Sequence, residues 1–168
     1  MARVTLIRHG KAETSKLGVQ DFDRALISRG QINASAVGAF LATHRMLPQL
    51  VLVSPSARTR ETYEFIKPHW PDDIEVQFVD QLYEASASTL LQAIIDYGGD
   101  HADIAVIGHN PSLVVLLIIW LAMAMPSRIL AISRHAAWPI SALLRRKSAI
   151  WFRMAEDCCR SNVRVIYR

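Results

Sequence analysis

At 168 residues and 51% apolar, the chain has the size of one globular domain and can bury a sizeable core. Its formal net charge of +4 is unevenly spread, with 9 Lys or Arg against 2 acids over residues 126–168 and 10 against 13 before them. That basic end carries no recognised nucleic-acid motif and reads as a solvated face, with no nucleic acid expected as partner. Cys158 and Cys159 are adjacent, which does not suit a structural disulfide between them or a CxxC metal site, and no role is assigned to them.

In chain order, the first element is Val4-Thr5-Leu6-Ile7, a β-prone run that ends in Arg8-His9-Gly10. A buried strand delivers charged groups to its open end in this way, and histidine is the usual nucleophile or proton carrier near neutral pH. Strand residues and Arg8 arrive too soon for a secretory leader, so a cytoplasmic protein is expected. A polar loop over residues 11–23 follows. Ser28-Arg29-Gly30-Gln31 then predicts a capping box, with Ile32, Val37, Phe40 and Leu41 as the apolar face of the first helix.

Leu50-Val51-Leu52-Val53 predicts a second strand covered on both faces. After the turn Ser54-Pro55-Ser56, a helix over residues 57–66 places Arg58 in its first turn. The helix dipole disfavours a cation there, unless an anion binds at the same helix start or the side chain reaches water. Val76 and Phe78 mark a short strand, and Glu84 falls in a connection before a helix over residues 88–97, closed by Gly98-Gly99. Ile104-Ala105-Val106-Ile107 is a further strand that releases Gly108-His109-Asn110-Pro111, with Asn110 predicted as N-cap and Pro111 as the first helical residue.

The apolar run from Leu113 to Met125 falls short of the roughly 18 to 20 residues that cross a bilayer, so it predicts a buried helix and no membrane partner. Later segments, 142–144, 149–152 and 163–167, predict a late antiparallel addition to the sheet. The whole is an α/β architecture: three layers, α/β/α, with a mostly parallel central sheet and helices on both faces. It forms a single domain over residues 1–168, without internal repeats. Ligands of such sheets bind outside the carboxyl ends of the strands, where His9 and His109 could meet.

Four segments taken together resemble the histidine phosphatase superfamily, the phosphoglycerate mutase-like fold. They are Leu6-Ile7-Arg8-His9-Gly10, the stretch from Val53 to Thr62 around Arg58, Leu82-Tyr83-Glu84-Ala85, and the stretch from Val106 to Ser112 around His109. Within it, the short chain and Asp23-Arg24-Ala25-Leu26 look most like the SixA-type phosphohistidine phosphatases, although that group often has proline where Ala25 stands. The resemblance covers roughly the first 120 residues.

What the resemblance implies agrees with the chemistry of these residue types. Arg8 and Arg58 would bind phosphoryl oxygens through their guanidinium forks, and His109 would add a donor. His9 would attack phosphorus and form a covalent phosphohistidine. Glu84 would protonate the leaving group and then activate water. The scheme calls for no metal and no other cofactor, and the six histidines show neither HxxxH nor HExxH spacing.

The expected substrate is a phosphohistidine-carrying protein, since only 25 positions separate Glu84 from His109 and leave little room for an insertion closing over a metabolite. The alternatives are a small phosphorylated substrate, either a phosphoester or a phosphoanhydride, and a non-catalytic phosphate-recognising module. The sequence does not fix the oligomeric state.

Overall fold

The computed structural model describes residues 3–15, 17–124 and 163–166. Five strands are present: β1 (Arg3–Arg8), β2 (Leu50–Val53), β3 (Glu75–Phe78), β4 (Asp103–Gly108) and β5 (Val163–Ile166). They form one sheet in the order β3-β2-β4-β1-β5, and every pairing is parallel. The late strand is therefore parallel to β1, where the alternation at 163–167 had suggested an antiparallel addition. Alternating polarity reports that a strand is half covered and carries no direction. The long connection between residues 124 and 163 is ample for a crossover back to the starting edge. The candidate strands at 142–144 and 149–152, both cysteines and the rest of the basic segment lie outside the described residues.

Each inner strand feeds two cores, because successive side chains point to opposite faces. Val4, Leu6, Leu50, Leu52, Ile104 and Val106 pack on one side against α3 (Ala87–Gly98) and α4 (Ser112–Ala124). Ile7, Val51, Val53, Ala105 and Ile107 pack on the other against α1 (Ser28–Thr43) and α2 (Ala57–Ile66). This double burial is why β1, β2 and β4 read as continuous apolar runs.

Three local expectations change. Ile27, not Ser28, occupies the cap position of α1, with no side-chain cap. Its amide instead donates to the Lys11 carbonyl at 3.0 Å, which ties the helix start to the loop after β1. Ile32 is 68% exposed, and the buried stripe of α1 runs through Ala34, Val37 and Leu41. In α4, which starts at Ser112 after a cis Asn110-Pro111 bond, Leu113, Leu116 and Leu117 are buried while Ile118 is 58% exposed. The all-apolar run is thus only half covered by α3 and the sheet. Among the described residues no helix is long and apolar enough to cross a membrane.

The close approach of α1 to the loop after β1 depends on two glycines. A Cβ on Gly30 would stand 2.2 Å from the Lys11 carbonyl oxygen, and one on Gly10 would stand 2.6 Å from the Gly30 carbonyl oxygen. Both obstacles are backbone, so neither can yield as a side-chain tip would. Gly30→Ala is expected to destabilise the fold by about 1–3 kcal/mol, the usual cost of overpacking. Urea unfolding would check this, and an unchanged midpoint would show that the contact is slack.

Candidate active site

The parallel register sets Arg8 of β1 opposite Gly108 of β4. The next residue of each strand is a histidine, and the His9 amide donates to the Gly108 carbonyl at 3.1 Å. The two rings consequently lie 5.2 Å apart between centroids, tilted by 55°. On the other side of β4, the Ser54 amide at the end of β2 donates to the Ile107 carbonyl. All three strands thus release polar residues at one edge of the sheet, next to each other.

Hydrogen bonds fix each ring. The Nδ1–H of His9 donates to the Gly10 carbonyl at 2.7 Å, which leaves Nε2 with its lone pair. The Ser54 hydroxyl lies 2.8 Å from His109 Nε2. With Ser54 donating there, the proton of neutral His109 sits on Nδ1, a buried atom with no partner among the described residues. Burial pushes the His9 pKa down to about 4, with Arg58, Arg8 and Arg24 adding to the effect against the opposing bond to Gly10. His109 is also pushed down to about 4, first by burial and then by Arg58. At His9 desolvation is the larger cause, and the neighbouring arginines act in the same direction.

Both histidines are therefore neutral in the folded protein near pH 7, and each would protonate on unfolding once the pH drops below its ordinary value of about 6.5. Folding stability contributed this way is complete above that value and lost as pH falls towards 4. The thermal midpoint is expected to fall between pH 7 and pH 5, with a shallower fall in His9→Gln. Calorimetry giving equal slopes for the two proteins would contradict the assigned burial.

Helix α2 organises the surrounding loops from one face. Thr62 accepts the Gly10 amide at 3.0 Å, Glu61 accepts the Leu26 amide at 2.6 Å, and Arg58 reaches the turn at Asp21. Arg58 is only 5% exposed. Its Nη2 donates to Asp21 Oδ2 at 2.8 Å, and its Nη1 donates to the Asp21 backbone carbonyl. The other carboxylate oxygen, Oδ1, pairs with Arg24 Nη2 at 2.6 Å. Burial alone would raise the Asp21 carboxyl, but Arg58 and Arg24 outweigh it and hold the group below the ordinary carboxylate value. The helix start that seemed to call for an anion has one, and it is Asp21.

Arg8, His9, Arg58 and His109 all line a single cavity of about 700 Å³, together with Asp21, Arg24, Lys11 and Asn110. Glu84 is not among its lining residues. It is exposed, and its φ of +52° is a left-handed conformation costing a non-glycine residue about 1–3 kcal/mol. Its neighbour Tyr83 reaches the site, stacking edge-on against His109 at 5.8 Å and donating to Asp21 Oδ2 at 3.2 Å. The sequence reading missed Asp21, Ser54 and Thr62 and gave Arg24 no role. The only available signal was the familiar look of residues 23–26. Among the described residues, no group of three or more His, Cys, Asp or Glu is arranged to hold a metal ion.

The all-parallel α/β sheet gathers two neutral histidines and several arginines around one cavity at its carboxyl edge, where ligands of such sheets bind. A model of the histidine phosphatase superfamily (branch 1) matches residues 4–93. The chain belongs to this superfamily. Among solved structures it is similar to a protein of Agrobacterium tumefaciens named for the phosphohistidine phosphatase SixA, with 31% identity and a TM-score of 0.67 over 75% of this chain and 84% of that one. A Nakamurella protein given the same name is 26% identical with a TM-score of 0.67, over 76% and 70% of the two chains. An uncharacterized chloroplastic protein of Arabidopsis thaliana is 32% identical over 117 residues, covering 64% of this chain. The match spans 54% of that relative's length.

Proposed function

We propose that the chain is a phosphatase that works through a covalent phosphohistidine and acts on phosphohistidine in a protein. The observation that carries the reading is the state of His9. It is neutral, its Nδ1 proton is committed to the Gly10 carbonyl, and Nε2 remains as nucleophile in a cavity lined by Arg8, Arg58 and Arg24. In the first step the Nε2 lone pair bonds to phosphorus as the bond to the leaving group breaks. Arginine forks neutralise the charge on the phosphoryl oxygens, and this supplies most of the stabilisation such a transfer needs. Water then attacks the phosphoryl group, the P–N bond breaks, and His9 is regenerated with inorganic phosphate released.

The substrate assignment rests on leaving-group chemistry together with the likeness to the SixA-named structures. Phosphorylated imidazole leaves more readily than an alkoxide, so a site whose lining carboxylate is engaged by two arginines suits it. A cavity of about 700 Å³ is also of a size that takes small ligands, which favours a small phosphoester as the second reading. The test is hydrolysis of a phosphohistidine protein and of p-nitrophenyl phosphate, without added metal. A kcat/KM at least tenfold higher for the protein supports the proposal, and the reverse order supports the second reading.

Glu84 is assigned the general-acid role for alkyl phosphates, supported by its being the chain neighbour of Tyr83, whose ring packs edge-on against His109. Glu84→Gln is expected to lower alkyl-phosphate turnover about 10²-fold, the low end for a general acid, and to spare phosphohistidine. Equal losses on both substrates would remove the assignment.

A further inference from the structure

The Asp21 carboxylate occupies an unusual position for an acidic side chain in a site built for anions. One of its oxygens takes Arg58 and the other takes Arg24, while Tyr83 donates to the first. Two planar forks meeting two oxygens of one anion is the geometry with which guanidinium groups bind a phosphoryl group. The donor set is also incomplete. The Nε atoms of Arg24 and Arg58 and Nδ1 of His109 are the buried side-chain nitrogens without a hydrogen-bond partner among the described residues. All three side chains line the same cavity.

A buried donor left unpaired costs about 1–3 kcal/mol, so the two guanidinium Nε–H groups leave this cavity wall short of an acceptor that a two-oxygen carboxylate does not fully supply. A phosphoryl dianion brings a third oxygen and a second charge. Asp21 can yield to it cheaply, because its side chain is 54% exposed and faces water once released, whereas Arg58 is buried and stays.

We propose that Arg24 is a substrate-binding residue, a third guanidinium of the phosphoryl pocket, and that Asp21 is the internal anion that holds Arg24 and Arg58 until the phosphoryl oxygens displace it. This rests on the reading of the cavity as a phosphoryl site. It adds a selectivity device. A ligand must outcompete a carboxylate already in place, so dianions are admitted and singly charged anions are refused.

The probe is inorganic phosphate, with its dissociation constant measured by calorimetry on the full chain near pH 7.5. Asp21→Asn is expected to tighten phosphate about tenfold and to lower the inhibition constant of the product by the same factor. Arg24→Gln is expected to weaken phosphate about tenfold in the wild-type background and by more in Asp21→Asn, where Arg24 gives up no carboxylate partner on binding phosphate. A merely structural ion pair gives a different pattern. Removing Asp21 would then weaken binding or leave it unchanged, and Arg24→Gln would have no effect once Asp21 is neutral, and either result overturns the proposal. Should Arg24→Gln fail to fold, as judged by circular dichroism, Arg24→Lys in both backgrounds carries the same test with a smaller expected loss. Binding is read without turnover, so a wild type that binds phosphate as expected but hydrolyses nothing would defeat the proposed function and leave this inference standing.

Discussion

Replacing His9 with alanine is expected to lower turnover of both a phosphohistidine protein and p-nitrophenyl phosphate by about 10⁴-fold or more, the scale on which covalent catalysis depends on its nucleophile. Several features converge on this one atom, Nε2. The Gly10 carbonyl takes the other ring proton, burial keeps the imidazole neutral, and the strand register brings His9 beside His109 over the cavity. Wild-type protein quenched during turnover is expected to carry an acid-labile, alkali-stable phosphoryl group, and His9→Ala is expected to carry none. The variant retains the Asp21, Arg24 and Arg58 cluster, so inorganic phosphate is expected to bind within a few fold of wild type. Undiminished turnover in His9→Ala would sink the covalent mechanism. Lost turnover with lost phosphate binding would point instead to a site that has come apart.

The strand ends were legible in the sequence for a physical reason. A strand buried on both faces must be a continuous apolar run, so Arg8-His9 after Ile7 and His109 after Gly108 stand out as polar groups at the exit. Helix α2 was legible to the residue, since Ser54-Pro55-Ser56 gives it a sharp start. Asp21 was not, because its role depends on Arg58, which lies 37 positions away and reaches it only through the fold. Direction was hidden too. The alternation in β5 is the same whichever way the strand runs, and the exposed side of α4 has the composition of its buried side. Ser28 had the chemistry of a cap, yet the Lys11 carbonyl and the Gly30 contact set where α1 begins.

Arg58→Ala is expected to lower kcat/KM about 10²- to 10³-fold while costing the fold less than about 2 kcal/mol, and the contrast between the two effects is the informative part. Removing one preorganised donor from a charge-stabilising site typically costs that much in rate. Breaking a buried ion pair can cost 3–5 kcal/mol of stability when the surviving charge is stranded. Here the survivor is Asp21, half exposed and still paired with Arg24, so water and Arg24 take up what Arg58 gave and the stability penalty is blunted. What remains is the small void left in the first turn of α2, whose other anchors, Thr62 to Gly10 and Glu61 to Leu26, are untouched. Arg58→Lys keeps the charge and loses the fork. It is expected to recover stability and only part of the rate, because a point charge cannot hold two phosphoryl oxygens in plane. Steady-state kinetics beside urea unfolding on both variants would decide the matter. A loss of rate below tenfold in Arg58→Ala would show that the buried guanidinium serves the fold and not the phosphoryl group.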